Sequence, residues 1–440
     1  MKLLFKSWYF LTVHKLEDIA RRFAVKPFAW LLYLLSTTIK DPLKRYKLLF
    51  IAHRFSYLQF IESRIIKELA SIKKCAIEMI PDGNEIPDDV NQNRNIVLKA
   101  PKVCGNTVIE KGVLLIKFTT TFQYYLKHVD CDRLQKYFHL VLEPSWAGYC
   151  LPEILGWTFF SEPIIIECSE INDYYFIKRL KSNLIPVRFG SSDWVDHRLF
   201  NNSKKDEPKY DAIYISNYVS IKRNHVFLKA LSQIKKKGYR AALVCNSWGD
   251  TKENVRVLSR YYKLADKLDI YEALTQEEIN SLLADSKVNL LLSLKEGSNR
   301  SIFEAFFTNT PGIVLIENVG VNKEYINENT GRLIFEKDLV RVLTDFSTSW
   351  KKYQPRSWAL DNISTIKTKE KLDLVLQGVC TDTKQPWTYG TFLKVNKPEA
   401  MYFDDSLTKK MPHSSIVFAV LRKNAPLDIS VMMDECSENN

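Results

Sequence analysis

Two doubly wound α/β domains in tandem are the fold class that this 440-residue sequence predicts. Three observations predict it. The chain is too long for one ordinary core, so two or three domains are expected. From Ile96 to Glu317, short apolar runs alternate with helix-like stretches, the texture of parallel strands covered on both faces. The alternation is broken once, at "NNSKKDEPK" (Asn201–Lys209), which is charged and lacks apolar anchors, and so reads as an interdomain linker. A single larger sheet is the alternative.

The chain opens on a basic helical segment. Residues 1–60 hold eleven Lys/Arg against three Asp/Glu, so +8 of the net +12 sits there, among many Phe, Trp, Tyr and Leu. The longest nearly uncharged run, "PFAWLLYLLSTTI" (Pro27–Ile39), has 13 residues, short of the roughly 20 that a spanning helix needs. No small-residue cleavage site of a secretory leader is evident. Two readings stay open: a helix lying on an anionic membrane surface, or a helical subdomain packed on the main body. Nucleic acid is not expected as a partner, because no zinc finger, RNA-recognition signature or sustained basic stripe is present. Residues 12–76 read as helices, with "IESRIIKELASI" (Ile61–Ile72) apolar at helical spacing. "PDGNEIPDDVNQNRN" (Pro81–Asn95) is polar and punctuated by Pro and Gly, a linker or long loop.

The first strand series contains "GVLLIKF" (Gly112–Phe118), "FHLVLEP" (Phe138–Pro144), "PIIIEC" (Pro163–Cys168) and "LIPVRFG" (Leu184–Gly190). The second begins with the strand "YDAIYIS" (Tyr210–Ser216) and the amphipathic "NHVFLKALSQIKKKG" (Asn224–Gly238), stopped by glycine. Next come "RAALVCN" (Arg240–Asn246), the helix "ENVRVLSRYYKLADKL" (Glu253–Leu268) and "DIYEAL" (Asp269–Leu274). Thr275 with Glu278 three residues on is a capping box. The strands "VNLLLSL" (Val288–Leu294) and "GIVLIE" (Gly312–Glu317) close the series. The domains expected are residues 1–80, a basic helical segment; 81–205, an N-terminal domain; 206–346, a C-terminal domain; and 347–440, an extension that crosses back to the N-terminal domain. In that extension "TIKTKEKLDLVLQ" (Thr365–Gln377) reads as helix and "TFLKVNKPEAMYFDD" (Thr391–Asp405) as extended.

Composition narrows the chemistry. A hydrophobic content of 46% excludes a disordered protein. Only 14 glycines argue against Gly-rich loops as the basis of function. The eight cysteines form no CxxC pair and no zinc-finger spacing with histidine, which suggests reduced thiols in a cytoplasmic compartment. The stretch that carries chemistry is "LLLSLKEGSNRSIFEAFFTNTPGIVLIEN" (Leu290–Asn318), a strand, a loop, a helix and a strand. In an open parallel sheet ligands bind at the carboxyl ends of strands, where the loop "KEGSNRS" (Lys295–Ser301) lies. A helix starting near Asn299 or Ser301 would offer free N–H groups and partial positive charge to a phosphate. Gly297 lets the backbone approach closely, and Ser298 and Arg300 add donors. Glu304, one turn into the helix, can accept two hydrogen bonds, which fits a vicinal diol such as a ribose. Glu296, before the helix, can face a second sugar. These parts describe a nucleoside diphosphate with a sugar on it. The bland alternative is a glutamate in a first helical turn as ordinary dipole chemistry.

The same stretch resembles the donor-site signature of retaining glycosyltransferases of the GT-B fold, the glycosyltransferase family 4-like or group 1 family. The resemblance is carried by Glu296-Gly297, Glu304-Ala305, Pro311 before "GIVLI", Gly320 with Glu324, and Thr330-Gly331, in order. "VDHRLF" (Val195–Phe200) resembles the segment that ends the family's first domain, and "SNYVSIKRNHVFLKAL" (Ser216–Leu231) the one after the first strand of its second domain. The likeness is good over about 185–345 and one of texture over 96–184. It does not reach the first 75 or last 70 residues.

The resemblance implies two Rossmann-like domains facing a cleft, and a hexosyltransferase-type enzyme that moves a sugar from a nucleotide-diphosphate sugar to a hydroxyl with retention of configuration. It implies that Glu304 holds the donor ribose and that Glu296 contacts the transferred sugar and stabilises charge at its anomeric carbon. Gly297, Ser298, Asn299, Arg300 and Ser301 would line the diphosphate. Lys222 matches the lysine that neutralises it. The family's arginine five positions earlier is Asn217 here, with Arg223 or Arg300 as replacements. The family's glycine-rich loop is not recognisable; Gly105 is the only glycine near the first strands. For the acceptor, Glu143, Ser145, Trp146 and Tyr149 in "LEPSWAGYC" are the candidates, ahead of Glu167 and Glu170. No cofactor and no metal are expected: the donor sugar is a substrate, and "FDD" (Phe403–Asp405) lies outside the nucleotide site. The expected partners are the donor, a glycan or lipid-linked acceptor in surface polysaccharide or glycolipid biosynthesis, and a membrane surface met peripherally through residues 1–60. A sugar-nucleotide epimerase, a phosphorylase and a non-catalytic membrane or glycan scaffold are the rival readings.

Overall fold

The computed structural model describes residues 2–56, 58–72, 90–91, 93–104, 107–201, 204–246, 249–396, 400–412 and 417. Gly105 and most of Pro81–Asn95 lie outside them. The fold is α/β as expected, built on two main sheets, one all parallel and one parallel but for an edge strand. The chain divides into two compact units: Ala24–Trp194 with Thr365–Asn440, and Met1–Phe23 with Val195–Ser364. The first is called here the N-terminal unit and the second the C-terminal unit.

The strands of the N-terminal unit are β1 (Asn95–Lys99), the hairpin β2 (Lys102–Cys104) and β3 (Thr107–Glu110), β4 (Gly112–Lys117), β5 (Phe138–Glu143), β6 (Ile164–Glu167) and β7 (Leu184–Val187). The main sheet has the order β1-β4-β5-β6-β7. β4 to β7 are parallel, and β1 runs antiparallel to β4. The sequence texture did not reveal that reversal. Its reason is the connection: β1 reaches β4 through a short hairpin, whereas a parallel pair needs a crossover of a dozen or more residues.

β4 to β7 are laid down in one direction, so right-handed crossovers place their helices on one face. That face buries Leu114, Ile116, Leu140, Leu142, Ile164 and Ile166 in one cluster with residues of the helices Thr119–His128 and Ile171–Leu180. Tyr46, Leu49, Ile61 and Ile65 of Pro42–Ser56 and Gln59–Ile72 join the same core. The second half of the basic segment is therefore core of this unit, not a separate domain. The opposite face, with Val113, Leu115, Val141 and Ile165, is covered by Leu372 and Leu376 of the helix Thr365–Asp382 and by Tyr402. Each such leucine contributes about 1.5–3 kcal/mol, so the tail supplies a missing layer. Polar contacts reinforce it: Lys99 Nζ lies 3.8 Å from the centre of the Trp387 ring and donates to the Tyr389 carbonyl at 2.6 Å. Cys380 meets His139 at 3.3 Å. Burial, with Lys111 nearby, lowers the His139 pKa to about 4, so this contact joins neutral groups at neutral pH.

The C-terminal unit holds β8 (Ala212–Asn217), β9 (Ala241–Asn246), β10 (Leu268–Glu272), β11 (Asn289–Leu291), β12 (Gly312–Leu315) and β13 (Gly331–Ile334), all parallel, in the order β10-β9-β8-β11-β12-β13. The strand order reverses between β8 and β11, which pair through Asn289 with Ile213 and Leu290 with Tyr214. Apolar clusters cover both faces. The capping box at Thr275 and Glu278 is formed. This unit begins at Val195, ahead of the expected linker. Val195 and Phe200 are buried in its core, and Lys204 donates to the Thr310 hydroxyl at 2.9 Å and to the Ser286 carbonyl.

Residues 2–38 are helical: α1 (Lys2–Ile19), a π-helical turn (Ala20–Ala24) and α2 (Val25–Thr38). α1 lies on the C-terminal unit. Ser7, Phe10, Leu11, His14 and Asp18 recur at three- and four-residue spacing and form its inner stripe, which Arg21 of the π-helical turn continues.

Candidate active site at the switch point of the C-terminal sheet

Where strand order reverses, the loops leaving the two central strands diverge and open a crevice at their carboxyl ends. Here those loops follow β8 and β11, and one side-chain contact bridges them. Lys222, in the turn Ser220–Lys222 after β8, places Nζ 2.6 Å from Oε1 of Glu296 after β11. Ser293 donates its hydroxyl to the same oxygen at 2.6 Å. Lys222 is anchored from behind by the Tyr214 hydroxyl, which donates to its carbonyl.

The loop carrying Glu296 is clamped by backbone. Glu296 N–H donates to Val319 O at 2.7 Å, and Val319 N–H to Leu294 O at 2.9 Å. The Asn318 side chain donates to Ser293 O at 2.9 Å. Gly320 follows with φ +122°, and a Cβ there would lie 2.1 Å from the Glu296 carbonyl oxygen. Only glycine admits so close an approach, which gives this motif glycine a physical role.

The next helix is Arg300–Phe307, with Asn299 as its N-cap. The Asn299 side-chain oxygen accepts from Ile302 N–H at 3.2 Å and from the Ser301 hydroxyl at 2.9 Å. The side chains of Asn299 and Ser301 thus complete the cap, and the first-turn N–H groups of Arg300 and Ser301 are what the helix start can offer an anion. Glu304 is buried one turn on. Arg300 Nη2 donates to its Oε1 at 2.9 Å. Burial raises the Glu304 pKa, and Arg300 opposes the rise. Asn217 ends β8 with its side-chain oxygen buried and unpartnered, a polar atom available near the same strand end.

Arg223 differs from its neighbour. It is 1% exposed and its guanidinium is spent on the protein: both Asp18 oxygens at 2.9 Å, Glu336 at 2.6 Å and the Leu292 carbonyl at 3.2 Å. Its backbone is left-handed, φ +55°, which turns its side chain away from the one Lys222 presents. "KRNH" carries no sign of this network, nor does the sequence around Asp18 and Ser293. A buried serine four residues before a loop glycine is a weak signal, and a partner 205 positions away is none.

The acceptor candidates lie in the N-terminal unit. Tyr149, one of these candidates, is core: its hydroxyl donates to Glu167 O at 2.5 Å, and its N–H to Asp173 at 2.9 Å. Glu143 is buried under Lys394 at 2.5 Å and Asn396 at 3.1 Å. Ser145 lies 3.3 Å from the Thr119 hydroxyl. Trp146 is 44% exposed, the one exposed side chain of the four acceptor candidates. Glu167 is closed in too, with Trp194 Nε1 at 3.0 Å; burial, and next Glu143, push its pKa well up. Glu170 caps the helix Ile171–Leu180. Among the described residues no three His, Cys, Asp or Glu side chains converge as metal ligands.

No curated protein sequence matches the chain. Among solved structures it is similar to TarM of S. aureus, at 15% identity and a TM-score of 0.48, over 60% of this chain and 54% of that one. It is also similar to Anabaena HepE in complex with UDP and glucose, at 12% and 0.47, over 60% and 77%. A third is sucrose-phosphate synthase from Thermosynechococcus elongatus, at 14% and 0.46, over 61% and 73%. The chain spans about half the length of TarM. Residues 195–356, which hold the whole switch-point site, match the family model of glycosyl transferases group 1.

Proposed function

We propose that this chain is a glycosyltransferase that transfers a sugar from a nucleotide-diphosphate donor to a hydroxyl acceptor with retention of configuration. The observation that carries the reading is the Lys222–Glu296 contact across the switch point, 2.6 Å long, inside the segment that matches the family model. The contact sets a cation and a carboxylate side by side where a diphosphate and its sugar would meet. On donor binding the ammonium trades a carboxylate oxygen for phosphate, joined by the N–H groups of Gly297–Ser301. The C–O bond from the anomeric carbon to phosphate then breaks, and its electron pair leaves with the diphosphate. Fixed donors stabilise that charge better than water does. Glu296 faces the positive charge on the sugar. The acceptor oxygen forms the new bond from the same face and passes its proton to the departing phosphate. Glu304 holds the ribose.

Thermal shift with UDP and GDP tests the donor site. Binding at 100 times Kd adds about 2.7 kcal/mol to stability, and Glu304→Ala is expected to abolish the shift. No stabilisation of the wild type by any nucleoside diphosphate would favour the non-catalytic scaffold.

The proposal extends to a cytoplasmic, membrane-facing enzyme of polysaccharide or glycolipid assembly. No described helix is long and apolar enough to cross a membrane. Opposite its inner stripe, however, α1 exposes Leu4, Phe5, Trp8, Leu16 and Ile19, and α2 exposes Phe28, Leu31, Leu34 and Leu35. Lys6, Lys15, Lys26 and Lys40 are exposed beside them. Apolar side chains flanked by lysine suit an anionic lipid surface. Full-length protein should co-sediment with phosphatidylglycerol vesicles, and the double change Phe5→Ser, Trp8→Ser should weaken this about tenfold. Equal binding by both would remove the membrane contact.

A further inference from the structure

We propose that Asp18, on the N-terminal helix α1, is a positioning residue for Lys222, so that α1 is part of the donor-phosphate apparatus. This rests on the donor reading of Lys222 and Glu296.

The turn that carries Lys222 is held from outside at three points, all by α1 and its continuation. Before Lys222, Arg21 donates to the Ser220 hydroxyl at 2.8 Å and to its carbonyl at 3.3 Å. Immediately after it, Arg223 receives the bidentate grip of Asp18, with Nε to Oδ1 and Nη2 to Oδ2, each 2.9 Å. Three residues after it, His225 Nε2 meets Asp18 Oδ2 at 3.0 Å. His14 stacks on the His225 ring with centroids 4.4 Å apart and 3° between planes. One carboxylate therefore ties together the residues that follow Lys222.

The conformation explains why a tie is needed. Arg223 is a non-glycine residue at φ +55°, and such positions persist only where surrounding structure over-determines them. The left-handed residue is what turns the chain from Ser220–Lys222 into the helix Asn224–Gln233. It therefore sets the direction in which Lys222 leaves the backbone toward Glu296. Besides Asp18, the Arg223 guanidinium has Glu336 and the Leu292 carbonyl. Both come from the sheet side, so Asp18 supplies the whole hold from the α1 side. A bidentate, charge-assisted pair fixes orientation as well as distance. Despite burial, which acts the other way, hydrogen bonds from His225 and Arg223 hold the Asp18 carboxyl far below its usual range, so it stays ionised at neutral pH.

The test uses the full chain with Asp18→Asn, Asp18→Glu and Lys222→Ala. UDP binding is measured by calorimetry, and hydrogen exchange at the amides of residues 219–226 in the absence of nucleotide. Asp18→Asn should weaken UDP binding about tenfold at unchanged stoichiometry and speed exchange in that segment. Asp18→Glu should recover most of both. A merely structural role would instead lower the binding-competent fraction and the melting temperature and leave Kd unchanged, which overturns the proposal. So does Asp18→Asn binding UDP like the wild type while Lys222→Ala does not. If the wild type binds none of UDP, GDP and ADP, the donor reading fails. The exchange measurement still decides whether Asp18 orders the Lys222 turn, and unchanged exchange overturns it.

Discussion

Replacing Lys222 with alanine is expected to lower the turnover of sugar transfer by about 10²–10³-fold, the usual effect of removing one fixed group that stabilises a developing oxyanion. The ammonium is part-buried and 2.6 Å from Glu296, where a charge interaction is screened less than in water. Charge on the leaving diphosphate grows as the anomeric C–O bond breaks, so the loss should fall mainly on kcat and less on KM. Lys222→Arg keeps the charge but not the compact point donor, and should retain more activity than the alanine variant. The check is steady-state release of nucleoside diphosphate from a panel of sugar nucleotides. A kcat within about threefold of the wild type for Lys222→Ala would remove this lysine from the mechanism and, with it, the main support for the proposed function.

How much of this site the sequence held depends on the range of the interactions. The loop and helix from Lys295 to Phe307 were legible because their signals are local. A capping asparagine, a glycine and two glutamates at a fixed spacing mean the same thing wherever the chain goes. The partner loop was half legible. Lys222 and Arg223 are adjacent and alike in sequence, yet one faces the crevice and the other is buried against α1. Their fates separate at a left-handed turn that no glycine announces, and the cause is Asp18, which has no local signature. Tyr149 shows the opposite failure. A tyrosine after a strand can point out or in, and here Asp173 and the Glu167 carbonyl draw it in.

The fold was legible where burial is two-sided. Apolar runs such as Val288–Leu294 and Pro163–Cys168 mark central strands, because only such strands can do without polar alternation. The layers were less legible. Leu372, Leu376, Val379 and Cys380 have the spacing of one helix face, so the sequence tells that the tail packs on something. That the something is the far face of the N-terminal sheet follows from the one-way order of β4 to β7, a fact of topology. For the same reason the basic segment reads as one piece by composition but divides between the two units after Phe23.

The tail also closes the carboxyl end of β5, and there the largest stability effect is expected. Lys394 is fully buried, 2.5 Å from Glu143 and 3.0 Å from Asn396, and its ammonium lies 4.6 Å from the centre of the Trp194 ring. Lys117, at 3.9 Å, is the next cation to Glu143. Glu167, whose protonated form is favoured by burial and by Glu143, stands beside them. Removing one partner of a buried pair leaves the other charge without compensation, a cost of about 3–5 kcal/mol. Lys394→Met should therefore destabilise the protein by about that amount, read from the shift in urea midpoint at pH 7. The double change Lys394→Met, Glu143→Gln should recover part of the loss, because the pair itself is then neutral while buried Lys117 keeps its charge. A Lys394→Met midpoint equal to that of the wild type would mean that water or Lys117 already neutralises Glu143. The tail would then hold to the sheet by its apolar face and the Lys99 contacts, and the loop from Ser145 to Tyr149 would owe its position to Asp173 and Thr119, not to Lys394.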